Sequence, residues 1–572
     1  MRWLLPESTE DGPPQLARAL DLHPLAARVL WSRGYRTAEA AAAFLSDRLA
    51  DLPDPFLMKG MPEAVERVQR AVLAGEKITL WGDYDVDGVC STALTSLFLR
   101  DVGGKVATYI PHRLGEGYGL NAEAIARIAE DGTRVLVTLD CGITSHAEIA
   151  KARALGLDVV VVDHHAVPET MPPANAVLNP LQPGCEYPTR FLCAAGVAFN
   201  LCMGLRKRLR EGGHFAPGTG RREPNLKTSL DLVALATVAD VVPLTGANRI
   251  LVRWGLEELG RAERPGVRAL KEVAGLGADG KVTSGQVGFR LGPRINAAGR
   301  MDDAALGLRL LCCTSLDEAR PLAEALDRAN AERQAVEARI LEEALEQAES
   351  RRAARGLVLY NEGWHPGVIG IVASRVVERF CRPTVIIGVA EGVGRGSARS
   401  IEGFHLVEAL KQCAEHLTKY GGHKAAAGLS IDPALLPRFQ EAFEAHATRS
   451  LTDEDLVARC RIDALVRPEE VDERAVESLA RLGPFGHGNP EPVFGSRRQS
   501  VHPRVLESKK GGAGHLKLRL AEAPALDAIG FGMADRVALT EGPVDLAYQV
   551  GFDEFRGQRR ISLKLKDVRV SG

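Results

Sequence analysis

Acidic and imidazole side chains follow apolar segments at four places in the first half of the sequence. The segments read "DYDVDG", "TLDCG", "VVVVDHH" and "TVADVVP". They supply eight titratable residues: Asp83, Asp85, Asp87, Asp140, Asp163, His164, His165 and Asp240. Carboxylates that converge on one point repel each other unless a cation neutralises them. Such a set is therefore typical of a metal site, provided that the fold brings the four segments together.

The elements around these segments predict how they would meet. Between residues 61 and 165, helical patterns alternate with short apolar runs such as "KITLWG", "RVLVTL" and "LDVVVV". That alternation indicates right-handed βαβ units and a parallel sheet that is covered on both faces. Ligands of such sheets bind at the carboxyl ends of the strands. Three of the acidic segments end predicted strands, and the fourth ends a predicted buried helix within 231–244, so we expect one shared cluster.

The types of donor favour particular ions. Carboxylate oxygens with one or two imidazoles suit Mn²⁺ or Mg²⁺ better than a metal that prefers thiolates. A carboxylate shared by two cations is the usual way to build a two-metal hydrolytic site. A Ca²⁺-binding EF-hand loop that began at Asp83 would need Glu at its twelfth position, where this sequence has Leu94. We therefore expect two divalent cations, Mn²⁺ or Mg²⁺.

The bulk composition excludes several classes of protein. A chain of 572 residues predicts three or four domains, and a net charge of −2 means that the whole molecule is not a polycation. The ten cysteines include no C-x-x-C pair, which argues against a zinc site or a redox motif. We find no signal-peptide pattern and no run of 18 apolar residues, so we expect a cytoplasmic protein with no membrane span.

The pattern along the whole chain predicts an α/β fold class with two parallel-sheet α/β lobes, joined by a long helix, plus a C-terminal all-β OB-fold barrel. Residues 1–60 form a helical segment and 61–315 form the first lobe. Residues 316–355 form the connecting helix, 356–454 the second lobe and 455–572 the barrel.

The end of the chain is locally basic. Residues 497–572 contain 14 Lys and Arg against 9 Asp and Glu, a local charge of +5. A basic small barrel is a common platform for single-stranded nucleic acid. A generic β-domain with a solvated basic face is the alternative.

The four acidic segments, in this order, resemble the motifs of the DHH phosphoesterase superfamily. The later segments "GPRINAAGRM", "EGWHPGVIGIVASR", "GSARSIEGFHL" and "GGHKAAAG" are similar to those of its branch that degrades single-stranded DNA. The likeness runs from about residue 45 to the C-terminus. It implies a DHH domain, a DHH-associated domain and an OB domain. It also implies a 5′→3′ exonuclease, specific for single-stranded DNA, that releases 5′ mononucleotides by two-metal-ion catalysis in DNA repair and recombination.

The resemblance also implies roles for individual residues at the reaction centre. The metal ligands would be Asp83, Asp85, Asp140, His164 and Asp240, with Asp140 as the bridge between the ions. Asp163 and His165 would either support the ligands or face the phosphate, and His423 would contact the scissile phosphate. Asp87 stays open between a metal ligand and the cap of a helix that begins near Ser91.

Further residues would bind the strand. The segment "GSARSIEG" offers Ser397 and Arg399 in a Gly-flanked loop that fits an anion pocket. The resemblance implies that they hold the 5′-terminal phosphate together with Arg113, and that this pocket sets the polarity. The candidates for contacts to the following nucleotides are Arg294, Asn296 and Arg300. For Trp364 we favour core packing over stacking on a base, and the role of His365 stays open.

Two other functions remain possible from the sequence. A small-substrate DHH phosphoesterase, acting on oligoribonucleotides or cyclic dinucleotides, would use the same metal centre, but the additional β-domain favours a polymer. A catalytically inactive scaffold that binds single-stranded DNA would not need the complete ligand set. We expect single-stranded DNA as the main partner, a single-strand-binding protein as a second partner, and a monomer.

Overall fold

The computed structural model describes residues 1–6, 12–111, 119–277, 280–301, 305–508, 514–555 and 558–571. The chain divides into two compact units. The larger unit comprises residues 5–327 and 461–572, and the smaller unit comprises 1–4 and 328–460. Within the described ranges, no helix combines the length and the apolar character that crossing a membrane requires.

The N-terminal segment is helical, as its sequence predicts. His23 and Thr37 begin two of its helices, because their side chains accept hydrogen bonds from the backbone N–H groups of Leu25 and Ala40. These helices share one hydrophobic core with the C-terminal β-domain, which the sequence does not show. The elements are β1 (Arg2–Leu4), α1 (Gly12–Leu20), α2 (Pro24–Ser32) and α3 (Ala38–Leu45).

A five-stranded parallel sheet forms the centre of the first lobe, in the order β3-β2-β4-β5-β6. Alternate residues of β4 and β5 belong to two separate cores, one on each face, which explains the continuous apolar runs. The elements are α4 (Met61–Ala74), β2 (Lys77–Gly82), α5 (Val86–Asp101), β3 (Lys105–Tyr109), α6 (Ala122–Glu130), β4 (Thr133–Leu139), α7 (His146–Ala154), β5 (Asp158–Val162) and β6 (Ala176–Leu178).

Helices complete this lobe and lead out of it. A π-helical turn, Val287–Leu291, connects two of them. Leu316–Ser350 is a single helix, where the sequence predicts one over 316–355. The elements are α8 (Ala194–Glu211), α9 (Leu230–Ala239), α10 (Gly246–Arg261), α11 (Pro265–Val273), α12 (Ser284–Gln286), α13 (Gly292–Met301), α14 (Ala305–Cys312) and α15 (Leu316–Ser350).

The smaller unit contains a mixed sheet in the order β10-β11-β9-β8-β7. Only β7 and β8 pair in parallel, and the other pairs are antiparallel. The expectation of a parallel sheet therefore holds only for β7 and β8. Short turns at 391–392 and 423–425 join β8 to β9 and β10 to β11, which makes those two pairs antiparallel. The elements are β7 (Leu357–Glu362), α16 (Ile369–Phe380), β8 (Thr384–Ala390), β9 (Val393–Arg399), α17 (Leu406–Gln412), β10 (Lys419–Gly422), β11 (Ala426–Ile431), α18 (Leu436–Ser450) and β12 (Arg459–Arg461).

The C-terminal β-domain is a seven-stranded, mostly antiparallel sheet in the order β13-β14-β18-β19-β17-β16-β15. Its end strands β13 and β15 are not paired with each other in the described residues, so no closed barrel is seen there. The elements are β13 (Ala464–Leu465), α19 (Glu473–Ala480), β14 (Phe494–Gln499), β15 (Val501–Leu506), β16 (His515–Leu520), β17 (Asp527–Gly530), β18 (Val544–Phe555) and β19 (Gln558–Val570). The α/β class with a C-terminal β-domain is confirmed, and the division into five domains remains our proposal.

Candidate metal centre

The strand register places three acidic residues side by side at the carboxyl edge of the five-stranded sheet. Gly82, Leu139 and Val162 are neighbours across β2, β4 and β5. The next residue on each strand continues the ladder: Asp83 N donates to Leu139 O (3.2 Å) and Asp140 N donates to Val162 O (3.0 Å). The strand order reverses between β2 and β4, which is the point where open α/β sheets bind ligands.

The first turn of α5 adds two further carboxylates. Asp85 is the N-cap of α5, and its Oδ1 accepts hydrogen bonds from Asp87 N (2.9 Å) and Gly88 N (3.1 Å). Gly88 is required here, because a Cβ on it would lie 2.5 Å from both the N and the O atoms of Asp83. The "DVDG" sequence therefore brings the start of α5 against the end of β2.

Asp87 is not the cap of its own helix, and its alternative role as a metal ligand stays a prediction. That helix begins at Val86 rather than near Ser91. Its buried carboxylate, only 1% exposed, accepts hydrogen bonds from Ala194 N (2.6 Å) and Ala195 N (2.8 Å) at the start of α8. The same carboxylate lies 3.7 Å from Nε2 of His164. Asp87 thus both anchors α8 and belongs to the acidic cluster.

His164 lies at the middle of the cluster. Its Nε2 is 3.1 Å from Asp140 Oδ1 and 3.6 Å from Asp240 Oδ2. Asp240 reaches this point from the C-terminal end of α9. Asp140 has a left-handed backbone (φ 65°), which turns the chain away from the sheet directly after β4. All five predicted metal ligands are therefore brought to one place.

Asp163 orients the two histidines. Its Oδ1 accepts hydrogen bonds from the backbone N–H groups of His164 (2.7 Å) and His165 (3.1 Å) and lies 2.7 Å from Nδ1 of His165. Its Oδ2 accepts from Ile143 N (2.9 Å). Asp163 is fully buried. These contacts agree with a supporting role for Asp163, while its predicted role in the reaction stays a prediction.

The electrostatics of the cluster call for a cation. Burial, followed by the charges of Asp87 and Asp85, raises the pKa of Asp140 well above its ordinary value and raises the pKa of Asp240 to about 8. Burial lowers the pKa of His164, so its ring is neutral and able to ligate a metal near pH 7. Burial lowers the pKa of His165 as well, but its hydrogen bond to Asp163 and the charges of Asp163, Asp240 and Asp87 together outweigh burial and raise the value to about 9.

Among the residues that the structure describes, three groups of side chains could each hold a metal ion. Within each group, one ligand atom per residue lies within 4.8 Å of the others. The groups are Asp83, Asp85 and Asp140; Asp87, His164 and Asp240; and Asp140, His164 and His165. Asp140 belongs to two of them, as the prediction of a bridging ligand requires. Oxygen-rich donors with one or two imidazoles fit Mn²⁺ or Mg²⁺.

The predicted phosphate pocket lies on a strand rather than in a loop. Ser397 and Arg399 belong to β9 and point to the same face of the sheet, because side chains alternate along a strand. Arg399 Nη1 donates to Ser397 Oγ (3.1 Å). A Cβ on Gly370, in the first turn of α16, would lie 3.0 Å from Ser397 Oγ and 3.1 Å from Arg399 Nη2. A helix N-terminus therefore adjoins this serine and arginine.

The other predicted substrate contacts are found in several settings. His423 is exposed at the tip of the β10–β11 hairpin, where its backbone N–H donates to Ala426 O (2.8 Å). Asn296 Oδ1 accepts from Val86 N (3.1 Å), beside the metal cluster. Arg294 instead packs within the first lobe, with Nε 2.9 Å from Asp327 Oδ1. Arg113 and the side chain of Arg300 lie outside the described residues.

Trp364 packs in the core, which is the role that we favour for it from the sequence. It is buried, and its Nε1 donates to Glu343 Oε2 (2.6 Å) on α15. His365 Nδ1 accepts from Gly367 N (3.1 Å), which stabilises the turn before α16.

The site and the domains together define a phosphoesterase of the DHH class. The model of the DHH family, N-terminal domain, matches residues 77–237, which contain all of the clustered residues except Asp240. The DHHA1 domain matches residues 353–448, and the RecJ OB domain matches 462–567.

Relatives that match almost the whole chain narrow the family assignment further. The single-stranded-DNA-specific exonucleases RecJ of Dickeya dadantii and Escherichia coli are 40% and 38% identical, over 96% of this chain and 96% of their own. The crystal structure of RecJ with Mn²⁺ from Thermus thermophilus matches with a TM-score of 0.83 and 33% identity, covering 99% of this chain and 79% of that chain. The Mg²⁺ complex of that protein matches with a TM-score of 0.78 and 31% identity, covering 99% and 78% of the two chains. The chain belongs to the RecJ family.

Proposed function

We propose that this protein is a single-stranded-DNA-specific exonuclease that hydrolyses phosphodiester bonds from the 5′ end and releases 5′ mononucleotides. Two divalent cations, Mn²⁺ or Mg²⁺, are its cofactors. The observation that carries this proposal is the pair of ligand groups that share Asp140 at the carboxyl edge of the sheet. Membership of the RecJ family, whose named members are single-stranded-DNA-specific exonucleases, supports the choice of substrate.

The chain's own residues would organise the reaction. When bound, two divalent cations supply an activated water, neutralise the phosphate and stabilise the leaving oxygen. Asp83, Asp85, Asp140, His164 and Asp240 would hold the cations, with Asp87 as an additional member of the cluster. Asp163 would keep the two imidazoles in place. His165, whose Nδ1 is held by Asp163, would face the phosphate.

A second site would select the end of the strand. Ser397 and Arg399, on one face of β9 at the N-terminus of α16, offer a hydroxyl, a guanidinium and helix N–H groups to a terminal phosphate. Binding of a 5′-phosphate there would set the 5′→3′ polarity. We retain His423, Arg113, Arg294, Asn296 and Arg300 as proposed contacts to the strand, although Arg294 would first have to leave Asp327.

We extend the proposal to the setting in which the protein acts. We propose that the protein acts in DNA repair and recombination in the cytoplasm, as a monomer, and that a single-strand-binding protein assists it. The basic C-terminal β-domain would hold the strand behind its 5′ end. This domain favours a polymer over oligoribonucleotides or cyclic dinucleotides, and the complete ligand set favours an enzyme over a scaffold.

A substrate panel tests this proposal. The protein would be incubated in Mn²⁺ with a single-stranded oligonucleotide, the matching blunt duplex and a cyclic dinucleotide, with a chelator as the metal-free control. We expect only the single strand to be degraded, and only with metal. Hydrolysis of the cyclic dinucleotide alone would indicate a small-substrate phosphoesterase. Binding of the strand without hydrolysis would indicate a scaffold.

A further inference from the structure

An apolar groove in the larger unit is lined by Ala239 and Val241, the two residues that flank the candidate ligand Asp240. Its volume is about 1490 Å³. Its walls are the chain after α9, the α10 helix, residues 280–289 and the loop 483–491 that precedes the β-domain. None of the predicted site residues that the structure describes lines it, so the metal chemistry does not account for it.

Val241, which lines the groove, is exposed and strained. It directly follows the candidate ligand Asp240, and it is 62% exposed. Its φ of 58° lies in the left-handed region, which a β-branched residue rarely adopts. Such strain persists where the surrounding structure imposes it, and it is concentrated at functional sites. The surrounding structure thus keeps the apolar side chain of Val241 exposed to solvent next to the candidate ligand Asp240.

Phe289 lines the same groove and is the most exposed of the large apolar side chains that the structure describes, at 80%. It lies in the π-helical turn Val287–Leu291, a form of helix that is frequent at functional sites. The turn leads into α13, whose Asn296 contacts the start of α5 beside the metal cluster. The ring therefore projects from an element that is anchored at the active site.

Hydrogen bonds fix the loop 483–491, which forms another wall of the groove. Leu244 N donates to His487 O (2.8 Å), and Ser284 Oγ donates to Phe485 O. Asn489 Nδ2 donates to Leu482 O and Pro484 O, both at 2.9 Å. These bonds hold the loop 483–491 against the first lobe, so the groove is formed before any ligand binds.

The loop 483–491, which lines the groove, leads into β14 of the β-domain. Glu491 lines the groove there. Burial raises the pKa of Glu491, and the charges of Lys564 and Lys566 on β19 oppose this rise. The charges of two lysines of the basic sheet therefore act on a carboxylate that lines the groove. A strand that left the metal centre through the groove would arrive at a basic surface.

We propose that this groove receives the unpaired bases of the DNA strand, with Phe289 stacking on one base and Val241 packing against a base nearer the metals. This inference rests on the proposed function. Among the described residues, the groove offers three basic and three acidic side chains, which suits uncharged base faces better than phosphates: Arg253, Arg261, Lys281, Glu257, Glu263 and Glu491. A duplex hides its base faces in its own stack, so the groove would favour single strands.

Fluorescence tests the stacking directly. Single-stranded oligonucleotides, each with 2-aminopurine at one position from the 5′ end, would be bound to an Asp140→Asn variant that cannot cleave them. We expect quenching at one or two adjacent positions. Phe289→Ala should remove it there and weaken binding by about 5- to 30-fold, and Phe289→Trp should retain it. The matched control is Leu73→Ala, an apolar residue on α4 that is 59% exposed and outside the groove.

Hydrolysis by the active enzyme gives an independent test. An abasic nucleotide at the quenched position should raise KM for the wild-type enzyme but not for Phe289→Ala, because the stacking partner is already absent. Equal quenching in Phe289→Ala, or equal sensitivity of both enzymes to the abasic nucleotide, would overturn the inference while leaving the exonuclease proposal intact. Failure of the wild-type enzyme to degrade any single strand would instead overturn the proposed function.

Discussion

Replacing Asp140 by Asn removes one charge from the centre of the acidic cluster and leaves the backbone unchanged. Asp140 is buried and has a φ of 65°. Asn is among the few residues that tolerate this left-handed conformation well. The substitution therefore separates the electrostatic role of the carboxylate from its structural role.

The size of the effect follows from the pKa of Asp140, which burial and then the charges of Asp87 and Asp85 raise well above the ordinary value. Each pKa unit corresponds to about 1.4 kcal/mol. A carboxyl group with a raised folded-state pKa binds more protons in the native state than in the unfolded state. Native stability therefore falls as pH rises from the unfolded-state pKa of this carboxyl group to its higher folded-state pKa. After allowance for relaxation and water penetration, we expect metal-free Asp140→Asn to be more stable than wild type by about 1–3 kcal/mol at pH 8.

Thermal unfolding at pH 6 and pH 8, with and without Mn²⁺, measures this effect. Without metal, the variant should melt a few degrees above wild type at pH 8, with a smaller difference at pH 6. Mn²⁺ should stabilise wild type more than the variant, and hydrolysis by the variant should be lost. The reasoning is refuted if the metal-free variant is no more stable than wild type and gains as much from Mn²⁺.

Three further substitutions test separate parts of the structure. Gly88→Ala places a Cβ 2.5 Å from the backbone of Asp83, a candidate ligand. Because the two segments would have to separate, calorimetric titration should show weaker Mn²⁺ binding. An unchanged Mn²⁺ affinity would contradict the packing of α5 against β2. Arg399→Ala should reduce the preference for 5′-phosphorylated over 5′-hydroxyl ends by about tenfold; an unaltered preference would remove Arg399 from the phosphate pocket. Trp364→Phe loses the hydrogen bond to Glu343 and should cost about 1 kcal/mol of stability without changing kcat, so an activity loss at full stability would contradict a structural role.

The parallel sheet and its acidic edge could be predicted because the signals are local. "KITLWG" and "LDVVVV" are continuous apolar runs, and they become β2 and β5, covered on both faces. Parallel strands in register then bring Asp83, Asp140 and Asp163 to the same edge. The sequence therefore predicts functional residues that directly follow a buried strand.

Contacts between distant parts of the chain could not be predicted. Asp87 accepts hydrogen bonds from Ala194 and Ala195, more than a hundred residues away, and no local pattern indicates that partner. His23 N donates to Ser478 Oγ (3.0 Å) across 455 residues of sequence, where the N-terminal helices pack on the β-domain. The "GSARS" segment has loop-like residues, but pairing with β8 and β11 makes it a strand.

The central claim is that the acidic cluster degrades single strands from the 5′ end. The most direct measurement follows one single-stranded oligonucleotide in Mn²⁺, labelled in parallel at its 5′ and 3′ ends. We predict early release of 5′ mononucleotide from the 5′-labelled strand and a steadily shortening ladder from the 3′-labelled strand, with the matching duplex intact. Early loss of the 3′ label, or internal fragments from both substrates, would contradict the account.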